Sequence, residues 1–184
     1  MASKIKVDTL ETANGSGTIA LSNQLSGMTT ASLPALGSAQ MPTGSVLQVV
    51  SASLGTSTST TSTSFIDTPL ALAITPTSTS SKILIKVDAP IHTSSTGTYG
   101  VLFTLFRGTV AGTNLGHVTQ GMAYSYDGDA NTLETGTSLS YLDSPNTTSA
   151  QTYTLGMRSE NATSTGAVML YSCVGTITLM EIAG

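Results

Sequence analysis

The residues that could act as acids, bases, nucleophiles or metal ligands are few and scattered. The 184-residue chain has ten Asp and Glu residues, two histidines and one cysteine. Most of the carboxylates stand beside turn residues, where they usually hydrogen-bond the backbone. His92 and His117 are predicted to be solvated loop residues, and Cys173, inside the apolar run from Val168 to Val174, is predicted to be a small buried side chain. We therefore expect no catalytic site and no enzyme activity.

One segment places oxygen ligands at alternate positions, as calcium loops do. It begins with Asp127, Asp129 and Asn131, but its sixth residue is Thr132 instead of glycine and its twelfth is Ser138 instead of glutamate. The segment predicts an acidic turn, and we expect no bound metal. A glycine-rich phosphate loop is also absent from the sequence, so no cofactor is expected. A single cysteine excludes an internal disulfide.

The side chains best suited to binding are two tyrosines that precede this acidic segment. Because they are two residues apart, they share one face of a strand. A tyrosine ring offers an apolar face and a polar tip, which suits stacking on sugars, although packing at the rim of a core is the alternative. Binding residues concentrate on loops, here near 93–97, 127–131 and 161–166. The candidate contact residues are Tyr124, Tyr126, Asp127, Asp129, Asn131, Thr96 and Asn161.

Composition indicates a sheet protein with a nearly neutral surface. Only 9% of the residues are charged, against about a quarter in ordinary domains, and Ser and Thr make up about a third of the chain. Threonine fits a pleated sheet and serine fits turns. Long surface helices, which need Glu, Lys and Arg on their wet face, are disfavoured.

Charge and hydropathy exclude two classes of partner. The net charge is −4 and the sequence has no basic patch, so nucleic-acid binding is not expected. No apolar run approaches the roughly 18 residues of a membrane span, so no membrane insertion is expected. The N-terminus lacks the apolar stretch of a signal peptide, which predicts synthesis in a cytoplasm.

The distribution of strand-like runs divides the chain into three parts. Residues 1–25 contain two short strands around a Gly-rich turn, and residues 26–42 form a linker of small residues. Residues 43–184 alternate between apolar strand-like runs and turn residues, which is typical of an antiparallel β-sandwich of the jelly-roll type. The strands are predicted at 45–52, 68–75, 82–89, 99–107, 117–126, 138–143, 151–159, 167–173 and 176–182.

Two observations predict that several copies of the chain assemble. Two short strands do not form a stable sheet alone, so the N-terminal arm, 1–25, needs partner chains. In the last predicted strand, 176–182, Ile177 and Leu179 occupy one face while Met180 and Ile182 make the other face apolar as well. A strand that is apolar on both faces suggests that the second face meets another copy. We expect several copies of the chain to share one core.

Several blocks of sequence carry a resemblance to a known family. The opening SKIKVDTLETANGSGTIALSNQ looks like the N-terminal module of structural proteins from marine bacteriophages. The blocks GSVLQVVSAS, FIDTPLALAITPTSTSSKILIKVDAP, SYLDSPNTTSAQTYTLGMRSEN and GTITLMEIAG resemble the distal domain of tail-fibre-type proteins of such phages. Together the blocks cover most of the chain, and the C-terminal ones are the more specific.

The resemblance implies a trimeric tail fibre located in the virion, with no catalytic motif. The arm would bind other tail or head proteins, and the sandwich would attach to a glycan or protein of the host surface. A virion structural or capsid-decoration fibre without a receptor role is the first alternative, and a free carbohydrate-binding module is the second. The implied virion-attachment residues are Ile5, Val7, Leu10, Ile19 and Leu21.

Overall fold

Eleven strands account for most of the described chain. The computed structural model describes residues 37, 40–95, 100–126, 128 and 132–184. The predicted arm, with Ile5, Val7, Leu10, Ile19 and Leu21, lies outside the described residues, as does most of the linker. The strands are β1 (Val46–Leu54), β2 (Thr58–Thr60), β3 (Ile66–Ile74), β4 (Lys82–Ser95), β5 (Gly100–Arg107), β6 (Thr113–Asn114), β7 (Ala123–Tyr126), β8 (Thr132–Asp143), β9 (Gln151–Ser159), β10 (Ser164–Val168) and β11 (Gly175–Ile182).

The strands form two antiparallel sheets with jelly-roll connections. Sheet A has the main order β1-β11-β4-β8, and the short strands β10 and β2 extend it beside the second half of β4. Sheet B has the main order β3-β9-β5-β7, with β6 also on β5. Numbered along the chain, the eight main strands lie in the orders 1-8-3-6 and 2-7-4-5, which is a jelly roll. The predicted all-β sandwich is confirmed, whereas the homotrimer stays a prediction.

The core lies between the two sheets, because alternate residues along each strand point inward, as the sequence predicted. Ile83, Ile85 and Val87 of β4 are fully buried, as are Ile177 and Leu179 of β11. The facing side of sheet B contributes a second buried row that includes Phe103, Leu105, Tyr153, Leu155 and Met157. Apolar burial stabilises a fold by about 25 cal/mol per Å², so these rows hold the two sheets together.

A buried carboxylate interrupts the apolar inner face of sheet A. Glu181 is fully buried. Its oxygens accept hydrogen bonds from Gln48 Nε2 at 2.6 Å and from both the backbone N and the Oγ1 of Thr77 at 2.7 Å. Burial by itself raises the pKa of Glu181, but the nearby Ser81 hydroxyl and these bonds outweigh it, so the pKa lies below its usual value. The ionised side chain is therefore the form that the fold accommodates.

Two predicted strands differ from the structure. Of 117–126 only Ala123–Tyr126 is a strand, and His117 forms an isolated bridge with Gly121. The predicted strand 167–173 ends at Val168 and continues as a 3-10 turn at Leu170–Ser172. Met169, Tyr171 and Ser172 have positive φ angles of 55°, 56° and 62°, and this left-handed backbone cannot continue an extended strand.

Several predicted loops are shorter than expected because sheet pairing extends into them. β4 reaches Ser95 and β8 begins at Thr132, since the two strands pair without a break over their shared length. β10 begins at Ser164, inside the predicted loop 161–166. The Thr-rich tract 54–64, which lies outside the predicted strands, contains strand β2, which pairs with β10.

Two predictions about single side chains are wrong. Cys173 is exposed instead of buried, because the 3-10 turn carries it out of the sheet. His92 lies in β4 with its side chain only 14% exposed, and its Nδ1 lies 3.6 Å from Glu134 Oε1. It faces a neighbouring strand instead of a solvated loop. His117 does lie in a connection, where its Nδ1 accepts a hydrogen bond from the backbone N of Gln120 at 3.0 Å.

The outer faces of the two sheets differ. In sheet A the register places four apolar residues in one row across β1, β11, β4 and β8, namely Val49, Met180, Leu84 and Leu142. We call these four residues the apolar row. Its two end members, Val49 and Leu142, are 54% and 48% exposed. In sheet B the outward residues of β5 are buried beneath other side chains: Leu102 is 1% exposed, Thr104 0% and Phe106 3%.

Candidate functional site

Several strands of both sheets start or finish at one end of the sandwich. β4 ends at Ser95, which pairs with Ser164 at the start of β10. β5 begins at Gly100, which pairs with Tyr126 at the end of β7. The connections from β4 to β5, from β7 to β8 and from β9 to β10 therefore leave from this end, which we call the loop end. These three connections overlap the three predicted contact loops.

The start of β1 lies at the opposite end of the sandwich. Val46 pairs with Ile182, which in turn pairs with Lys82, the first residue of β4. β4 runs from this end to the loop end over 14 residues, or about 45 Å at the usual rise of a strand. Surface features at the loop end are therefore well separated from the point where the described chain begins.

The two predicted tyrosines lie at the loop end on the outer face of sheet B. Tyr124 and Tyr126 are 47% and 49% exposed, and their ring centroids are 5.7 Å apart with an interplanar angle of 42°. Gly100 makes this arrangement possible. A Cβ at this position would overlap the Tyr124 ring and the carbonyl oxygen of Ser125, so a glycine is needed for the ring to lie across β5.

Glu160, which follows β9, fixes the orientation of the nearer tyrosine. The Tyr124 hydroxyl donates a 2.5 Å hydrogen bond to Glu160 Oε2, and the backbone N of Gly100 donates a 3.1 Å bond to the same oxygen. Burial raises the pKa of Tyr124 well above its ordinary value, and the bond to Glu160 raises it further. The hydroxyl therefore stays a donor to the carboxylate. We call Tyr124, Tyr126 and Glu160 the tyrosine platform.

The other predicted contact residues divide into one that the structure describes and four that it does not. Asn161 follows Glu160, and its Oδ1 accepts bonds from the backbone N and the Oγ1 of Thr163 at 3.0 and 3.1 Å. Its side chain amide oxygen thus closes a turn beside the platform. The remaining candidates, Thr96, Asp127, Asp129 and Asn131, lie outside the described residues.

Sequence reasoning missed two charged residues of this surface, Glu160 and Arg158. Leu102 of β5 pairs with Tyr124 of β7 on one side and with Arg158 of β9 on the other. The arginine is therefore two strands from the tyrosine. Spacing within β9 could have placed Arg158 on an outward face, but strand order was needed to bring it near the tyrosines. A single sequence does not supply that order.

A cleft of about 590 Å³ lies beside Arg158 on the outer face of sheet B. Residues 63–65, before β3, and the connection between β5 and β7 form its walls. The Arg158 guanidinium lies 5.6 Å from the centroid of the Phe65 ring, which meets the Phe106 ring edge to face at 5.6 Å. We call this feature the Arg158 cleft. It combines a cation, aromatic surface and several polar groups, a combination suited to a polar ligand with one apolar face.

Two further kinds of site are absent from the described residues. No group of three or more His, Cys, Asp or Glu side chains among them could hold a metal ion. The described part of the chain also forms no helix with the length and hydropathy that a membrane span requires.

Comparison with known proteins gives only distant similarities. No protein-family model and no curated protein matches the sequence. The VP2 subviral particle of infectious bursal disease virus matches 74% of this chain and 38% of its own, at 11% identity and a TM-score of 0.37. The T13 particle of that virus matches 82% of this chain and 40% of its own, at 11% identity and a TM-score of 0.35. This chain thus spans about two fifths of those proteins, and the TM-scores are too low to assign it their fold or role.

Proposed function

We propose that this chain is a structural protein of a phage virion, a homotrimeric appendage of the tail-fibre type whose sandwich contacts the host surface. Its location is the virion, after synthesis in the host cytoplasm, and its role is binding without catalysis. The N-terminal blocks that resemble marine phage proteins support attachment to other tail or head proteins. The neutral, hydroxyl-rich surface supports a particle that works in salt, where surface ion pairs are screened.

The observation that carries the attachment role is the position of the tyrosine platform. Two half-exposed rings lie side by side at the loop end, while β1 starts at the opposite end. A sandwich attached to the virion at the end where β1 starts would therefore present the platform outward. Tyrosine rings with a nearby carboxylate suit a sugar, because the ring packs on its apolar face and the carboxylate accepts its hydroxyl hydrogens.

The homotrimer is supported by the apolar row on the outer face of sheet A. Its four residues cross four strands, and its two end members remain about half exposed. Contact with another copy would remove this surface from water, which favours association. Light scattering of the purified protein tests the assembly. A trimer has three times the chain mass of 18.7 kDa, and a monomer at micromolar concentration would contradict the shared-core assembly.

Adsorption competition tests the attachment role. The purified protein should slow adsorption of the virions that carry it, because it occupies the same surface receptors. Tyr124→Ala should lose most of this competition while its melting temperature stays close to wild type, since the ring is half exposed. Tyr171→Ala, at a 78% exposed tyrosine in the turn between β10 and β11, is the matched control and should compete normally.

Immunogold electron microscopy separates the proposal from its alternatives. Label on the tail with adsorption competition supports an attachment fibre. Label on the virion without competition would support a structural or capsid-decoration fibre. A monomer that binds glycan but is absent from virions would support a free carbohydrate-binding module and overturn the proposal.

A further inference from the structure

We infer that the Arg158 cleft is a second sugar subsite, which binds the carboxylate of an acidic sugar unit next to the tyrosine platform. The inference rests on the proposed function, because it names the class of surface glycan that the protein would recognise. It predicts that the ligand is an oligosaccharide with at least one carboxylate. It is supported by the state of Arg158, the walls of the cleft and the position of Arg158 relative to Glu160.

Arg158 is a fixed cation with no carboxylate partner among the described residues. The ion pairs of that part of the chain are Lys86–Asp88, His92–Glu134 and Arg107–Asp143. A guanidinium that lies in a cleft without a counter-ion attracts an anionic ligand group, because the cleft shields the charge from solvent.

Backbone carbonyls hold the guanidinium in one orientation. Its Nε and Nη2 donate to Thr119 O at 3.0 and 2.5 Å, and its Nη1 donates to Ser159 O at 3.1 Å and to Thr63 O at 3.4 Å. A guanidinium has five N–H groups, so these four bonds leave one N–H on Nη2 for a ligand. The side chain is ordered before any ligand arrives, which lowers the entropic cost of binding.

The walls of the cleft suit the ring of a sugar. Phe65 and Val118 provide apolar surface, and Val118 is 73% exposed at the rim. Ser64, Asn114 and Thr119 provide polar groups around them. The volume of about 590 Å³ lies within the range of small-molecule sites. A sugar can pack its apolar face on the rim while its carboxylate meets the Nη2 hydrogen.

Arg158 and Glu160 point toward two different regions of the surface. Glu160 is hydrogen-bonded to Tyr124 and to the backbone of Gly100, while Arg158 reaches the other way, to Thr63 and Thr119. Two strand spacings, about 10 Å, separate the Tyr124 and Arg158 positions. An oligosaccharide that spans both regions would place a neutral unit on the platform and its acidic unit in the cleft, which fixes its direction.

Nuclear magnetic resonance gives a direct test, because the Arg158 Nε–H signal can be followed by itself. Glucuronate is the probe, glucose is the neutral control and acetate is the bare-anion control. Glucuronate at about 10 mM should shift the Arg158 signal with a dissociation constant near the millimolar range expected for one sugar unit. Glucose should leave the signal unchanged, and acetate should bind at least about tenfold more weakly, a difference of about 1.4 kcal/mol. Equal binding of acetate and glucuronate would mean an anion site only and would overturn the inference.

Two variants separate the subsite from the stability of the fold. Arg158→Gln removes the charge but also breaks the bonds to Thr63 and Thr119, so its folding must be checked by thermal melting. Val118→Trp leaves those bonds in place and fills the cleft from its exposed rim. Both variants should lose the glucuronate response at least about tenfold, again about 1.4 kcal/mol. A full response in Val118→Trp would place the ligand elsewhere and contradict the inference.

The adsorption assay shows which of the two proposals fails. If wild type and Val118→Trp compete equally well for host adsorption and glucuronate gives no Arg158 shift, the attachment role stands and the acidic-sugar subsite is wrong. If glucuronate shifts the Arg158 signal but the protein does not compete for adsorption, the attachment role is wrong and the subsite remains.

Discussion

The outer faces of the two sheets share a fold and differ in what covers them. Leu84 of sheet A lies between Met180 and Leu142 in an open row. Leu102 of sheet B has the equivalent place between Tyr124 and Arg158, yet it is 1% exposed. In sheet B, side chains from neighbouring segments turn the outer face into a second core with a polar rim. The platform and the cleft both lie on that rim, so the covering layer positions the candidate site.

The largest expected effect is the difference between two leucine truncations. Leu102→Ala leaves a cavity beneath the platform and should cost about 2–5 kcal/mol of unfolding free energy. Leu84→Ala, in the apolar row, should cost less within one chain, because Leu84 is only partly buried there and no layer of the same chain covers it. Urea unfolding of both variants measures the two costs, and equal costs would show that the faces do not differ in burial.

The two sheets also differ in the surroundings of their carboxylates, which can be compared at Glu181 of sheet A and at Glu160, which follows sheet B strand β9. Glu181 is fully buried and accepts bonds from Gln48 and Thr77. Glu181→Gln places an amide against those donors and should cost about 1.5–3 kcal/mol at pH 7, the range for hydrogen bonds to charged groups. Glu160→Gln, on the rim, should cost little stability but weaken glycan binding.

The Glu181 contribution should depend on pH with a defined sign. The pKa of Glu181 in the folded chain lies below the ordinary value of 4.5. Its stabilisation is therefore complete above the unfolded-state pKa and is lost as pH falls through the folded-state pKa. The stability gap between wild type and Glu181→Gln, measured by urea unfolding, should shrink from pH 6 to about pH 3. A gap that stays constant would contradict the burial of the ionised form.

A pair of glycines tests how closely the platform packs. A Cβ at Gly100 would overlap the Tyr124 ring, whereas a Cβ at Gly136 of β8 meets nothing within 4 Å. Gly100→Ala should cost about 1–2 kcal/mol through overpacking and displace the ring, which reduces receptor binding. Gly136→Ala should be close to neutral, within about 0.5 kcal/mol. Thermal melting and adsorption competition measure both effects.

Sequence pattern predicted which face of each strand is buried better than it predicted where the strands end. The alternation of Ile83, Ile85 and Val87 set the buried face of β4 correctly, because a two-residue period follows from the pleat alone. The end of β10 depended on the left-handed backbone of Met169, Tyr171 and Ser172. None of these residue types favours positive φ, so no local signal marked the turn.

Prediction of the site was limited in the same way. Tyr124 and Tyr126 were found because two residues on one strand share a face whatever the strand order. Arg158 and Phe65 join them only through pairings between distant strands, and a single sequence does not determine those pairings. Spacing thus identified the part of the site that lies on one strand, and topology was needed for the rest.

The smallest expected effect concerns the ion pair on the open face of sheet A. Lys86 and Asp88 are in contact, with side chains 50% and 46% exposed. The hydrogen bond from Lys86, together with one from Ser138, lowers the pKa of Asp88, but water and salt screen a pair this exposed. A double-mutant cycle with Lys86→Ala and Asp88→Ala should give a coupling below about 0.5 kcal/mol that fades as salt is added. A larger, salt-independent coupling would mean that the contact with another copy extends from the apolar row over this pair, so that the outer face of sheet A is covered as fully as that of sheet B.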